Sequence, residues 1–375
     1  MKKILSTPSK TYNEKIRLHS ETKTVFANDL VSLINLLNNP YSSPFDIENG
    51  LSTIQKLSIS PEKRIKIMDL NGHKALISIL NSSKTSSRSK GLATCTLVQL
   101  SISPEDQIKI VKAGGHISLS SLINSAEEHP SIKQLSTMAL FNLFSNQDNH
   151  RNLIEANCHI SFISSMNDPS ILESTKQLGV SIIGVLSIDQ ESQLKIMEVN
   201  AHIPLISLLK IPTFSKESKT IAIQALTILS MNPNNHKKLI HSEGTTISLD
   251  ILKNPSSTEE SKSGAIQILS NLASNIRVVS DVINKIDSNS FDELHKRLND
   301  VWHAKDHENI IRIFGNFTKF TTNTTNKNVA IIALIKIISD PNAHFTNKNR
   351  IQSMLELVMF FKYKTNLYDA RPLIF

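Results

Sequence analysis

The chain has 375 residues, which is more than one ordinary hydrophobic core needs and enough for several globular domains or one long repeat array. Apolar residues make up 39% of the chain and charged residues 20%, so it contains enough apolar side chains to fold. The 41 Lys and Arg residues exceed the 33 Asp and Glu residues by eight, a mild basic excess that permits an acidic partner without requiring one.

Composition and motifs exclude several classes of protein. Two cysteines, Cys95 and Cys158, are too few for a disulfide framework or a zinc site with several Cys ligands. No apolar run reaches the length of a membrane-spanning helix, and the N-terminus MKKILSTPSK has no long apolar segment. We find no phosphate-binding loop, nucleophile elbow or paired-carboxylate site. The sequence therefore predicts a non-catalytic protein of the cytoplasm or nucleus, without cofactor, metal or small-molecule substrate.

The first 23 residues carry six basic residues against Glu14 and Glu21, together with several Ser and Thr residues. We expect residues 1–23 to be a basic, flexible arm, either an interaction or phosphorylation tail or simply a solvated terminus. An apolar helix pattern begins near residue 24, since LVSLINLL from Leu30 is in phase with ALISIL from Ala75.

A repeat of 43 residues organises the middle of the chain. The segments IKIMDLNGHKALISIL, IKIVKAGGHISLSSLI, RNLIEANCHISFISSM, LKIMEVNAHIPLISLL and KKLIHSEGTTISLDIL begin at residues 65, 108, 151, 194 and 237. Each unit predicts three helices with an apolar period near 3.6, of which the third carries the densest apolar stripe. The first helix is short and ends at a small residue suited to a sharp bend: Gly72, Gly115, Cys158, Ala201 or Gly244.

The repeat loses fidelity towards the C-terminus. IIRIFGNFTKF at Ile310 matches AIQILSNLASN at Ala265 only if two residues are inserted, and residues 328–361 predict two diverged apolar helices. We therefore expect an all-α solenoid of about seven to eight three-helix repeats over residues 24–361, followed by a C-terminal tail over residues 362–375.

These units resemble armadillo repeats. The segment Ala201-His202-Ile203-Pro204-Leu205 is similar to the start of that family's second helix, and Met138-Ala139-Leu140-Phe141-Asn142-Leu143 to its third. The segment from Lys133 to Ile154 is most similar to the armadillo arrays of U-box ubiquitin ligases, although no U-box pattern is present. The resemblance implies a right-handed superhelix whose third helices line a concave groove that binds extended peptides or partner proteins.

One position of the third helix forms a ladder of side chains along the predicted groove. The ladder consists of Gln99, Asn142, Val185, Ile228, Asn271 and, after the two-residue insertion, Asn316. Residues four and seven before each ladder position lie on the same helix face. The amides either hold a peptide backbone or bond a neighbouring turn; the apolar members either bind a partner or are buried between third helices. Our candidate partner-binding residues are Leu92, Gln99, Leu135, Met138, Asn142, Leu178, Ile221, Gln224, Gln267, Asn271, Arg312 and Asn316.

Two further ladders have the same spacing. The first is a ladder of lysines: Lys90, Lys133, Lys176, Lys219 and Lys262. These side chains either attract an acidic partner or, as we favour, pack their alkyl stems along the solenoid edge with the ammonium groups in water. The second is a ladder of histidines that open the second helices, one per repeat: His73, His116, His159 and His202. They are too far apart to share a metal, so we expect buried or capping imidazoles.

We expect a scaffold or adaptor that binds a protein or peptide partner along the third helices. Two alternatives are a substrate-presenting component of a ubiquitin ligase with a separate catalytic subunit, and a nuclear-transport adaptor. The single tryptophan, Trp302, does not lie four residues before a groove Asn, as it does in importin-α-like arrays, which counts against the transport role. Net charge alone gives little support for nucleic-acid binding.

Overall fold

The computed structural model describes residues 29–321, 323–339 and 345–369, and within this part of the chain every regular element is a helix. The predicted arm at residues 1–23 and residues 370–375 of the predicted tail lie outside the described residues. The α-helices are α1 (Leu30–Asn38), α2 (Pro44–Leu57), α3 (Pro61–Asp69), α4 (Gly72–Asn81), α5 (Ser87–Leu100), α6 (Pro104–Lys112), α7 (Gly115–Asn124), α8 (Pro130–Phe144), α9 (Gln147–Glu155), α10 (Cys158–Asn167), α11 (Glu173–Leu186), α12 (Gln190–Glu198), α13 (His202–Leu209), α14 (Lys216–Ser230), α15 (His236–His241), α16 (Gly244–Lys253), α17 (Glu259–Ala273), α18 (Val279–Ile283), α19 (Ser288–Leu298), α20 (His307–Phe320), α21 (Thr324–Ser339) and α22 (Asn347–Asp369).

Helices α3 to α20 form six groups of three, preceded by the pair α1 and α2 and followed by the pair α21 and α22. The predicted all-α repeat architecture is therefore confirmed, with α5, α8, α11, α14, α17 and α20 as third helices. Helices α2 and α22 take the place of a third helix in the two pairs, since α2 packs against α5 and α22 against α20. The first residues of the third helices α5, α8, α11, α14 and α17 lie 43 residues apart, as the sequence period requires. None of the helices in the described part of the chain is both long and apolar enough to cross a bilayer.

The chain divides into two compact units, Met1–Gly179 and Val180–Phe375, each with its own stack of third helices. In the N-terminal unit, α5 packs between α2 and α8; in the C-terminal unit, α17 packs between α14 and α20. One apolar position per third helix lies at the centre of each stack. Its members Leu97, Leu140, Ile183, Leu226, Leu269 and Phe314 are all buried.

Local sequence determines where the helices begin. A hydroxyl side chain caps several third helices: Ser86 accepts a hydrogen bond from the Ser89 amide and Thr258 from the Ser261 amide, both at 3.1 Å. Such a cap stabilises a helix by about 1 kcal/mol. The first helices α3 and α6 start with Pro61 and Pro104, whose fixed φ suits the first turn of a helix.

A set of side-chain hydrogen bonds, which we call the corner ladder, fixes the corner between each third helix and the next first helix. In every case the side chain donates to the carbonyl oxygen six residues before it, at 2.7 to 3.2 Å; the donors are Arg64, Gln107, His150, Gln193 and His236. These bonds satisfy carbonyl groups that the end of a helix leaves without a partner.

The bend between first and second helices corrects one prediction. We expected the small residue to make the bend, whereas the residue before it has the left-handed conformation: the φ angles are positive at Asn71, Gly114, Asn157, Asn200 and Glu243. The small residue that follows opens the second helix in four of the five repeats and immediately precedes it at Ala201, and its role is close packing. A Cβ atom added to Gly72 would lie 2.9 Å from the Ile67 carbonyl oxygen, and one added to Gly244 would lie 2.7 Å from that of Leu239. Gly72 and Gly244 therefore allow the two helices to approach closely.

The last three-helix group departs most from the repeat. Helix α18 has only five residues, and a 3₁₀ helix, Val301–Asp306, precedes α20. Arg297 on α19 is buried there and donates to the carboxylates of Asp306 at 3.0 Å, Glu259 at 2.7 Å and Glu293 at 3.3 Å. Three carboxylates on one guanidinium tie this irregular segment to α17.

Candidate functional site

The twelve predicted binding residues lie on one register of the third helices, which we call the third-helix face. None of them is buried: Met138, Gln224 and Arg312 are exposed and the other nine are partly exposed. Each third helix buries another of its faces, for example with Ala139, Leu140 and Leu143 on α8. The register predicted from the sequence is therefore a surface in each unit.

In the N-terminal unit the third-helix face is neutral and mainly apolar. Leu92 on α5, Leu135 on α8 and Leu178 on α11 are half-buried, and Met138 is 41% exposed. The leucines thus fall between our two alternatives, because part of each side chain is buried and the rest is in solvent. The neighbouring Cys95 is also half-buried, and the Gln55 Nε2 of the preceding third helix lies 3.7 Å from its Sγ.

The amide ladder connects neighbouring repeats. Asn142 Nδ2 donates to Ser101 Oγ at 3.0 Å, and Asn271 Nδ2 donates to Ser230 Oγ at 2.9 Å. Gln99 makes the equivalent contact in the opposite direction, since its Oε1 accepts a hydrogen bond from the Ser58 hydroxyl. In all three cases the serine lies 41 residues earlier, at the end of the preceding third helix. This contact corresponds to the second alternative drawn from the sequence, in which the amide bonds a neighbouring turn. One function of these amides is therefore to hold consecutive repeats together.

Asn316 shows that the two-residue insertion was placed correctly. Ala273 occupies the position that Ser230 has one repeat earlier and carries no hydroxyl, and Asn316 Nδ2 donates to the Ala273 carbonyl oxygen at 3.1 Å. Within the described residues, the Oδ1 atoms of Asn142, Asn271 and Asn316 accept no hydrogen bond. These oxygens are the part of the ladder that a partner's backbone amide can use.

In the C-terminal unit the third-helix face changes from apolar to polar along the chain. Ile221 and Gln224 on α14 are followed by Gln267 on α17 and then by Arg312 on α20. Arg312 Nη2 donates to Glu308 Oε1 at 2.8 Å, one helical turn earlier. Its charge is therefore partly neutralised within the chain.

The sequence analysis missed exposed apolar residues three positions beyond three of the six ladder residues, Gln99, Val185 and Ile228. Ile102 in the N-terminal unit and Ile188 and Met231 in the C-terminal unit are exposed at the ends of their third helices. Ile59 occupies the same position one repeat before Ile102 and is also exposed. The 43-residue spacing of these residues was visible in the sequence, and extending the face by one more turn would have found them.

The lysine ladder corrects another expectation. Lys90 pairs with Glu128, and Lys133 Nζ lies 3.1 Å from Asp168 Oδ2, both acids lying in the loop before the next third helix. Lys262 pairs with Glu259 at 3.5 Å. The ammonium groups of these three lysines are therefore in ion pairs, where we expected them in water. All three side chains are mostly buried.

The histidine ladder is buried, as the sequence indicated. Burial lowers the pKa values of His73, His116 and His202, that of His202 to about 4. Cys158 is buried beside His116, and burial raises the pKa of its thiol to about 12, so it is an inert packing residue. Among the described residues, no three His, Cys, Asp or Glu side chains are arranged to hold a metal ion.

Comparison with known proteins identifies the fold. A computationally designed armadillo repeat protein for modular peptide recognition matches with a TM-score of 0.55 and 20% identity, over 65% of this chain and 99% of the designed one. A designed armadillo repeat protein in complex with the peptide (KR)4 matches with a TM-score of 0.53 and 20% identity, over 65% of this chain and 100% of its own. An engineered protein matches with a TM-score of 0.56 and 16% identity over 92% of each chain.

No protein-family model and no curated protein sequence matches the chain. The structural matches and the 43-residue three-helix unit together define an all-α armadillo-repeat solenoid.

Proposed function

We propose that this protein is a non-catalytic scaffold that binds a partner polypeptide along its third-helix face. The observation that carries the proposal is that all twelve predicted residues are partly or fully exposed, in register on third helices that bury another face. Exposed apolar side chains in register on adjacent helices are typical of an interaction surface. The designed armadillo proteins, one for peptide recognition and one in complex with (KR)4, support a peptide as the partner of this fold.

The chemistry of the face favours a peptide with apolar anchors over a polybasic one. At the twelve positions Arg312 is the single charged residue, and there is no carboxylate to pair with Lys or Arg. Leu92, Leu135 and Met138 offer apolar contacts, and the free Oδ1 of Asn142 offers an acceptor for a backbone N–H. We propose that the peptide places an apolar side chain on each repeat of the N-terminal unit and hydrogen-bonds to the amide ladder between them.

A narrower version of this function is that the protein presents substrates to a separate ubiquitin-ligase subunit. The similarity of residues 133–154 to the arrays of U-box ligases supports it. If purified protein alone formed ubiquitin conjugates in the presence of the activating and conjugating enzymes, the non-catalytic proposal would be wrong.

The peptide proposal is tested by selecting binders from a displayed random-peptide library and measuring their affinity by fluorescence anisotropy. Met138→Glu should weaken binding at least tenfold, because its carboxylate has to be desolvated against apolar anchors. Ile117→Glu is the matched control, since Ile117 is exposed on the second helix α7. Unchanged affinity of Met138→Glu, or equal loss in the control, would place the binding surface elsewhere.

A further inference from the structure

The last described helix, α22, exposes a more apolar face than the one it buries. Its exposed residues are Ile351, Met354, Leu355, Val358 and Met359, each between 52% and 60% exposed. Its buried residues include Asn349, Ser353, Leu357 and Phe360. The exposed residues have the i, i+3, i+4, i+7 and i+8 spacing of a single stripe along the helix.

Helix α22 is the last described member of a row of packed helices. In the C-terminal unit α14 packs against α17, α17 against α20, and α20 against α22. Helices α14, α17 and α20 are thus each covered by the next, whereas no described residue covers the stripe on α22. A terminal solenoid repeat normally presents a polar outer face. The apolar stripe of α22 therefore has the character of an interface between helices and not of a cap.

The charged side chains that the structure describes on α22 have partners within the chain. Glu356 Oε2 lies 2.8 Å from Lys319 Nζ, and Lys348 Nζ lies 2.5 Å from Glu308 Oε2. Arg350 Nη1 donates to the Ile338 carbonyl oxygen at 3.3 Å. An ionic partner would have to compete with these contacts, so the stripe suits a neutral, apolar helix.

We propose that the stripe binds the same stripe of a second copy of this chain. The positions of its residues suit a twofold, antiparallel pair of α22 helices, because Ile351 and Met359 lie four residues on either side of Leu355. In that arrangement Leu355 packs on the twofold axis and Ile351 of each copy faces Met359 of the other. A closed, self-complementary contact of this kind limits association to a dimer.

The first test is sedimentation equilibrium of the full chain across a wide range of concentration. Wild type should show a reversible monomer–dimer equilibrium, and Leu355→Glu should weaken dimerisation at least tenfold, since each copy brings a carboxylate to the axis. Ile117→Glu, changed at an exposed residue of the N-terminal unit, should leave the dimer intact. A wild type that stays monomeric at every concentration, including one that instead binds vesicles of anionic phospholipid, would overturn the proposal.

The second test addresses the antiparallel geometry. Ile351→Lys and Met359→Glu should each weaken the dimer, because a charge then faces an apolar side chain. The double variant should recover much of the lost affinity, since each Lys at position 351 would face a Glu at position 359 of the other copy. Because the substituted residues are exposed, circular dichroism should show unchanged helicity. A double variant weaker than both single variants would exclude this pairing.

Discussion

Arg297 Nη1 and Asp306 Oδ2 lie 3.0 Å apart, and both side chains are almost completely buried, at 2% and 3% exposure. They join α19 to the 3₁₀ helix that leads into α20, where the repeat is least regular. Burying two charges is costly unless they are paired and hydrogen-bonded, so each residue depends on the other.

Removing only one member of this pair should be strongly destabilising. We expect Arg297→Met to lower the free energy of unfolding of the C-terminal unit by about 3 to 5 kcal/mol, since it leaves Asp306 buried without a counter-charge. The double variant Arg297→Met/Asp306→Leu should recover a large part of that loss. Urea unfolding followed by circular dichroism measures both; a single variant as stable as wild type would mean that water reaches Asp306.

The buried histidines should make the fold sensitive to mild acid. The pKa of His202 is about 4 in the folded chain and about 6.5 in an unfolded one, so the unfolded state binds the proton more tightly. Its contribution to stability is therefore present above pH 6.5 and is lost as the pH falls towards 4, by up to about 3 kcal/mol.

His202→Gln tests this pH dependence. Glutamine does not titrate and retains an amide that can reach Ser242, the present partner of His202 Nε2 at 3.0 Å. We expect urea midpoints measured from pH 7.5 to pH 4.5 to fall less steeply in the variant than in wild type. Identical slopes would show that other groups govern acid unfolding.

Glu243 should be the least favourable of the left-handed corner residues. Its φ is +67°, where a side chain with a Cβ atom is strained and glycine is not. We expect Glu243→Gly to raise stability by about 0.5 to 1 kcal/mol, because its exposed ion pair with Lys210 contributes little. Asn200→Gly is the matched control and should gain less, since asparagine tolerates this conformation. Thermal unfolding of both variants measures the difference.

The amide ladder should stabilise the stack independently of any partner. Asn271→Ala should cost about 1 kcal/mol, and a double-mutant cycle with Ser230→Ala should give a coupling of about 0.5 to 1.5 kcal/mol. Both residues belong to the C-terminal unit and are joined by the 2.9 Å hydrogen bond. Additive effects in the cycle would indicate that the contact contributes nothing to stability.

The sequence predicted the periodic part of this structure well, since a 43-residue period places equivalent residues in equivalent surroundings. The period predicts the third-helix register and the burial of the histidines. It also reveals the insertion before Asn316, as a two-residue departure from the spacing. The bend between first and second helices was assigned to the small residue, whereas the positive φ lies one residue earlier. The small residue is there because it packs against Ile67, Ile110 or Leu239.

The contacts that the sequence did not reveal break the period. The acids that pair with Lys90 and Lys133 lie 38 and 35 residues further on, in loops of differing sequence, so no constant spacing marks them. Arg297 pairs with Glu259 from one repeat and Asp306 from an irregular segment. The Arg297 network therefore depends on residues of the segment in which the 43-residue period is broken.

The corner ladder of Gln107, His150, Gln193 and His236 has a consequence for the order in which the chain folds. Each of these hydrogen bonds joins residues that are six positions apart in the sequence. The hydrogen bonds of the amide ladder can form next, because they connect only neighbouring repeats. Contacts so close in sequence favour rapid folding that can start in any repeat and spread to the next. During synthesis, each corner can form as soon as its first helix leaves the ribosome, before the rest of the chain exists.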